Sequence, residues 1–450
     1  MRIAIIGAGL AGLTAAYRLR DHDVSVFEAT DRIGGKLHTV AFQSGPTDMG
    51  AEAYLAFRED TTAFFKELGL EVVSPSGLPS LLYVDGELHP MPMNTVMGIP
   101  GSSKGLEKLV SAETAARIDA ESDSMDWPQE VTLGEVLRER FGDDLVDHVV
   151  SALQGGVYSS TSDDLSLRDT VPQLARALDR LKEEGKPVTI TAAVQSIMAD
   201  REKRNKARGY KPSVFAAFPG GYAELYEALA EKSGAKIHID AFITGIQWKD
   251  GFTLKGAEGT FDKVIVAVPA PTAAMLLKSV APEASALLKN IKLASSAVVG
   301  MKFDSAEGLP DNSGILVATD AEVTAKAFTF SSKKWPHLGQ RGGALVRASF
   351  GRFGDDAIAR ADEDLLVDTA LDDLQTITGF DGRAAGLSEI YVQRWFGGLP
   401  VYGPGHSDLV AAIKDALPVG IYATGAWADG VGVPAVIDSA TKVAKLLEDH

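Results

Sequence analysis

The stretch Arg2-Ile3-Ala4-Ile5-Ile6 runs directly into Gly7-x-Gly9-x-x-Gly12, and this junction constrains the chain more than any other feature. The apolar stretch predicts a buried strand, and the glycines turn it into a helix that starts near Leu10. Residues without a side chain let the backbone approach a pyrophosphate. The N-terminus of the helix adds free N–H groups and partial positive charge. A second strand, Val24-Ser25-Val26-Phe27, ends at Glu28, about 20 residues further on, where a carboxylate can accept hydrogen bonds from ribose hydroxyls. A tight turn that holds nothing is the alternative, but strand, helix, second strand and acid follow in the order a dinucleotide site requires.

The rest of the nucleotide fold is expected from distant segments. Lys236-Ile237-His238-Ile239 and residues 243–248 read as strands, and Lys249-Asp250-Gly251 as a hairpin turn leading to Phe252-Thr253-Leu254. Residues 262–268 form a continuous apolar strand stopped by Pro269, as expected for a strand buried on both faces. Residues 420–424 form a last strand, followed by a glycine-rich loop and a helix from about Pro434. Between these segments, residues 132–153 read as helical, opened by the capping box Thr132-x-x-Glu135. Residues 199–209 carry Arg201, Lys203, Arg204, Lys206 and Arg208 with almost no apolar residue and are expected to be a mobile surface loop. The acidic run 119–126 is expected to be a solvated linker.

At 450 residues more than one domain is expected. Against 61 Asp and Glu stand 44 Lys and Arg, a net charge of −17 that argues against nucleic acid or an anionic membrane as a global partner. There is no cysteine, so disulfides, thiolate metal sites and a cysteinyl-linked flavin are excluded. The eight histidines, at 22, 38, 89, 148, 238, 337, 406 and 450, show no metal-ligand spacing, and no metal site is expected. No signal peptide is expected, because the first residues already belong to the nucleotide strand. The most apolar stretches, residues 3–17 and 264–277, are broken by glycine or proline. They fall short of the roughly 20 apolar residues of a transmembrane helix. A cytoplasmic protein is expected; peripheral membrane contact is left open.

Asp31-Arg32-Ile33-Gly34-Gly35-Lys36 places a glycine pair and two cations just after the ribose acid. The bland alternative is an ordinary surface turn. The stretch resembles the extended FAD fingerprint of the flavin-containing amine oxidase superfamily, in which this loop follows the phosphates and the ribityl chain. Further stretches narrow the resemblance. They are His89-Pro90-Met91-Pro92 with residues 96–100, Gly155-Gly156-Val157-Tyr158, Leu165-Ser166-Leu167-Arg168, Phe218-Pro219-Gly220-Gly221-Tyr222, and residues 425–434. Together they are similar to the oxygen-dependent porphyrinogen oxidases, from Arg2 to about Leu447.

That resemblance implies an α/β fold: a Rossmann-like FAD-binding domain of the amine oxidase type, an α+β substrate domain and a helical insertion. FAD-binding parts are expected at residues 1–80 (with the start of the substrate domain), 219–270 and 418–450. The helical insertion and substrate cavity fall at 81–218, and further substrate domain at 271–417. The cofactor implied is noncovalent FAD. Its contacts would fall on Gly7, Ala8, Gly9, Leu10, Ala11, Gly12, Glu28, Ala29, Gly35 and Lys36, with Met49-Gly50-Ala51-Glu52 beside the ring and Ile243 at the adenine. Trp395 would lie near the isoalloxazine, with a core tryptophan as the alternative. Gly425 and Val431-Gly432-Val433 would close the pyrimidine end.

The implied activity is oxidation of coproporphyrinogen III to coproporphyrin III in haem biosynthesis, with O2 as acceptor and H2O2 as product. Protoporphyrinogen IX oxidation and amine oxidation are the alternatives, and a ferrochelatase is a conceivable downstream partner. Amine oxidases often place a lysine beside the flavin; the matching stretch here, residues 295–299, has none. No nucleophile–base constellation is visible, so no catalytic acid or base is assigned; His406 reads better as a structural histidine. Because the chain is acidic, substrate carboxylates need local cations. Arg58 is the first candidate, and Arg168 the second unless it serves a structural ion pair.

Overall fold

The computed structural model describes residues 1–210 and 212–449. Lys211 and His450, the last of the eight histidines and the end of the 418–450 segment, lie outside the described residues. The chain divides into two compact units. The first comprises residues 1–74, 213–292 and 407–450, and the second residues 75–212 and 293–406.

The first unit is built on a five-stranded parallel sheet in the order Lys236–His238, Asp23–Phe27, Arg2–Ile6, Lys263–Val266, Ile421–Ala423. Ile3, Ile5, Val26 and Ile265 are fully buried, which is why these strands read as apolar runs without polar alternation. The helix Leu10–Arg18 packs with Ala223–Ser233 and Val433–Asp449 in one apolar core that includes Leu13, Leu225, Val436 and Leu447. Three distant parts of the chain thus complete one nucleotide fold.

The second unit carries a seven-stranded mixed sheet. Its order is Leu387–Pro400, Leu293–Phe303, Ala344–Phe350, Ala327–Thr329, Gly314–Val317, Ser80–Val84, Glu87–Pro90. Its core is formed by Val299, Met301, Phe303, Val346, Phe350, Leu366 and Leu374. A largely helical core covers residues 106–194. Thr132 caps the helix Leu133–Arg140 by accepting from the Glu135 N–H, as the capping box predicts. The helical text then breaks at Gly142 and resumes as a wide turn, Leu145–Val150, continued by Ser151–Tyr158.

Two expectations are corrected here. Residues 199–209 are not a mobile loop: all but Gly209 belong to the helix Ile190–Arg208. Thr189 caps its start by accepting from the Ala192 N–H, and Ile190, Ala193 and Val194 anchor the first turns in the core. The charged remainder consists of good helix formers, is braced by the Glu202–Lys206 pair at 2.8 Å, and ends at Gly209 with φ +74°. A helix held at one end needs no apolar stripe along its whole length. The acidic run is likewise not wholly solvated. The Glu121 carboxylate is 3% exposed, pairs with Arg140 at 3.0 Å, and accepts from the N–H groups of Ile190 and Thr191 at the start of that helix.

Candidate functional site

Most of the residues expected to hold a dinucleotide converge in the first unit. The helix Leu10–Arg18 starts at Gly9, and no side chain caps it, so its first turn remains open to an anion. A Cβ on Gly12 would overlap the Gly7 carbonyl oxygen, so only glycine lets this helix approach the strand so closely. The second glycine loop folds directly onto the first: Gly34 donates to the Ala8 carbonyl at 2.8 Å. Gly35 has φ +57°, and a Cβ there would lie 2.9 Å from the Gly9 Cα. Glu28 sits at the end of its strand. Its carboxylate accepts from the Ala8 N–H at 2.8 Å and from the Thr30 N–H at 2.9 Å, tying the acid to the turn. Ala29 beside it is exposed.

The two loop cations have different roles. The Arg32 guanidinium donates to the carbonyls of Ile33, Gly35 and Leu37 and staples its own loop. Lys36 has no hydrogen-bond or ion-pair partner among the described residues, and burial holds its ammonium down to about 8. An open helix N-terminus, touching glycine loops and an unpaired, partly desolvated cation fit a pyrophosphate.

A prediction arises here. In flavin-free protein the depressed Lys36 pKa costs stability in full below about pH 8, and the cost fades as pH rises toward the unfolded value of 10.5. Lys36→Met should therefore stabilise the flavin-free fold at pH 7, flatten the pH 8–10 rise in its melting temperature, and weaken FAD binding about tenfold. Thermal melts of both forms with an FAD titration check this.

Met49 is fully buried and donates its N–H to the His38 carbonyl at 2.7 Å, while Gly50, Ala51 and Glu52 are half-buried and follow in a bend and irregular chain. Asp48, just before them, accepts from the Tyr222 N–H, which joins this segment to the Phe218–Tyr222 turn. Tyr222 is fully buried and its hydroxyl has no partner; its phenol is held well above the ordinary value by burial and then by the Asp48 charge. Sequence reasoning missed the Asp48 clasp, although the Pro-Gly-Gly-Tyr stretch signals a turn in need of one. Ile243 is 4% exposed and lies just before the strand Gly245–Trp248. Gly425 and Gly430, both with positive φ, bracket the short helix Ala426–Asp429. Val431 and Gly432 then form the bend into Val433–Asp449.

Trp395, Arg168 and His406 lie in the second unit. Trp395 is half-buried and pairs with Ser296 where the register with Leu293–Phe303 slips past Ser295, a bulge that re-aims the strand. His406 is 5% exposed and stacks on Tyr402 at 3.9 Å. Both expected carboxylate-binding arginines are already engaged. Arg58 forks onto Asp60 and reaches Asp438 at 2.8 Å; these hydrogen bonds, Asp60 first, raise its pKa further. Arg168 makes two bonds to Asp179, at 2.8 and 2.9 Å, and lies over the Trp127 ring in an open groove with Gln129, Lys182 and Glu183. This is an ion pair of the kind weighed as the alternative for Arg168. Among the described residues no cluster of metal-ligating side chains occurs, and no helix is long and apolar enough to cross a membrane.

With this geometry the class follows. The sequence pattern of the flavin containing amine oxidoreductases matches residues 10–447, and the chain belongs to this family. It is an FAD-dependent oxidoreductase. The chain is 38% identical to the coproporphyrinogen III oxidase of Mycobacterium tuberculosis (strain ATCC 25618 / H37Rv), over 97% of its length and 95% of the relative's. It is 27% identical to that of Bacillus subtilis (strain 168), over 97% and 95%. Among solved structures, a "Putative protoporphyrinogen oxidase" from Exiguobacterium sp. 255-15 is similar with a TM-score of 0.85 and 28% identity, covering 99% of this chain and 98% of that one.

Proposed function

We propose that this chain oxidises coproporphyrinogen III to coproporphyrin III with O2 as electron acceptor and H2O2 as product. The likeness to the coproporphyrinogen III oxidase of M. tuberculosis along almost the whole of both chains carries this reading. In it, the helix N-terminus at Gly9–Gly12 and Lys36 hold the pyrophosphate, and Glu28 accepts from ribose hydroxyls. The Ile243 backbone meets the adenine. In the first unit Met49 to Glu52, Gly425 and residues 431–433 lie along the ring; Trp395, in the second unit, is proposed for the same cofactor.

Bound FAD supplies a two-electron acceptor. Aromatisation of the macrocycle removes six electrons and six protons, so three O2 become three H2O2. The pyrrole N–H groups release protons by tautomerisation, so the protein's task is to orient the substrate rather than provide a strong base.

Protoporphyrinogen IX is retained as a second substrate, because the Exiguobacterium relative carries that name. An amine substrate has less support. The strand Leu293–Phe303 has no lysine before Lys302, which is 8% exposed and donates to the carbonyls of Phe303 and Gly342.

The test is a panel of anaerobically prepared coproporphyrinogen III, protoporphyrinogen IX and simple amines, followed by porphyrin fluorescence and peroxide after air is admitted. Fastest turnover of coproporphyrinogen III with three peroxides per porphyrin is expected. Turnover of an amine, with both porphyrinogens at the nonenzymatic rate, would overturn the reading.

A further inference from the structure

The second unit holds two cations that have no ion-pair partner among the described residues. Lys326 is 4% exposed, and its ammonium donates to the Ser159 hydroxyl at 2.6 Å and the Gly351 carbonyl at 2.7 Å. Arg352 follows Gly351 directly. Its Nε and Nη2, the two donors of one side of the guanidinium fork, are buried and bonded to nothing. A Cβ on Gly155, one helical turn before Ser159, would sit 3.5 Å from that Nε, so both cations face the end of the helix Ser151–Tyr158. Fully buried Gln154, in the same turn, also has neither amide atom bonded.

Among the described residues no carboxylate forms an ion pair with Lys326 or Arg352. Exposed Asp355 pulls the Arg352 pKa upward, but burial outweighs it and the guanidinium is held below its ordinary value. Burial, then the neighbouring Arg352 charge, holds the Lys326 ammonium down to about 7. Two like charges desolvated side by side oppose folding unless an anion joins them. An unbonded Nε–Nη2 edge has the geometry that takes a carboxylate side-on.

Their place in the sheet adds a second argument. Lys326 precedes Ala327, which pairs with Ser349, and Arg352 follows the end of that partner strand. Phe350 pairs with Ala297, whose other neighbour is Arg394, next to Trp395. Lys326, Arg352 and Trp395 therefore share one end of the sheet. Three strand spacings separate Trp395 from Lys326, roughly 14 Å, on the scale of a tetrapyrrole with a carboxylate arm extended.

We propose that Lys326 and Arg352 form the docking site for one carboxylate of the porphyrinogen substrate, with Arg352 gripping it side-on and Lys326 supplying the second charge. This rests on the coproporphyrinogen reading above. Arg352 opens the turn of residues 352–355, in which Gly354 and Asp355 are exposed.

The test uses the FAD-loaded enzyme and titrates coproporphyrin III, and separately its tetramethyl ester, by porphyrin fluorescence. Lys326→Met and Arg352→Gln should each weaken coproporphyrin III binding about tenfold and leave the ester's affinity unchanged. Because Lys326→Met removes a desolvated charge at similar volume, it should also raise the melting temperature by roughly 2–4 °C. A structural capping role predicts the opposite pattern: a lower melting temperature with coproporphyrin III affinity intact. That pattern, or unchanged affinity in both variants of an enzyme that oxidises coproporphyrinogen III, overturns the docking site and leaves the functional reading standing. Absence of porphyrin binding and turnover in the unmodified enzyme overturns both.

Discussion

Gly12→Val should yield a protein that purifies without yellow colour. At this position any Cβ overlaps the Gly7 carbonyl oxygen, and the two flanking elements cannot separate freely. The strand Arg2–Ile6 is clamped between parallel neighbours, and the helix Leu10–Arg18 between Ala223–Ser233 and Val433–Asp449. The clash is relieved by tilting the start of the helix, which moves the N–H groups of Leu10 to Gly12 away from the pyrophosphate. Overpacking of this kind costs about 1–3 kcal/mol of stability. The loss in FAD affinity should be at least about 100-fold, since several charge-assisted hydrogen bonds lose their geometry together. Flavin absorbance after purification and an FAD titration check this; a valine variant that keeps its colour and its affinity contradicts the placement of the phosphates.

Arg138→Met is expected to have the largest effect on stability. The Arg138 guanidinium bonds Asp143 at 3.0 Å, Asp147 at 2.7 Å and Asp163 at 2.8 Å, and these partners, Asp163 first, raise its own pKa further. Asp147 lies in the turn Leu145–Val150, whose continuation, Ser151–Tyr158, carries Gly155 and Gly156. Burial pushes the Asp147 carboxyl up, but the Arg138 fork outweighs it and holds the group below its usual range. Removing Arg138 leaves that desolvated acid with the Thr319 hydroxyl as a donor but without its bonded cation. A fully buried pair broken in this way costs about 3–5 kcal/mol, and because both partners keep some solvent contact the expected loss here is about 2–3 kcal/mol.

The sign with pH is defined. A depressed carboxylate pKa gives stability that is present above the unfolded value of 3.8 and lost as pH falls through the folded one. The variant should therefore melt lower than the parent at pH 7, and the gap should narrow below pH 4. Denaturant melts at pH 7 and pH 3.5 check this; equal stability at pH 7 contradicts it.

The fingerprint at Gly7–Gly12, Glu28 and the split parallel sheet were legible because each is a local pattern with one physical use. A strand buried on both faces must be continuously apolar, and a helix close to a strand must carry glycine where they touch. What was not legible depended on contacts that only the folded chain makes. Arg32 and Lys36 are both cations in one loop, yet carbonyls take up Arg32 and leave Lys36 free, which only the folded loop decides. Arg58 reads as a free cation until Asp438, 380 residues away, is brought beside it, whereas for Arg168 an ion pair is already the alternative and only its partner, Asp179, is not named.

The helix Ile190–Arg208 escaped because its buried anchor lies outside the charged stretch that drew attention. Lys326 and Arg352 escaped for the opposite reason. Neither belongs to a motif, and what distinguishes them is the lack of an ion-pair partner among the described residues, which no sequence displays.

The central claim is that FAD held by the first unit takes electrons from a tetrapyrrole. It is tested most directly by mixing the oxidised holoenzyme with coproporphyrinogen III in the absence of O2 and following flavin absorbance and porphyrin fluorescence together. The account predicts that the yellow colour bleaches as enzyme-dependent oxidation of the macrocycle begins, and that admitted air restores the flavin and completes formation of coproporphyrin III. A flavin that stays oxidised with coproporphyrinogen III, yet is bleached at once by an amine, would contradict it.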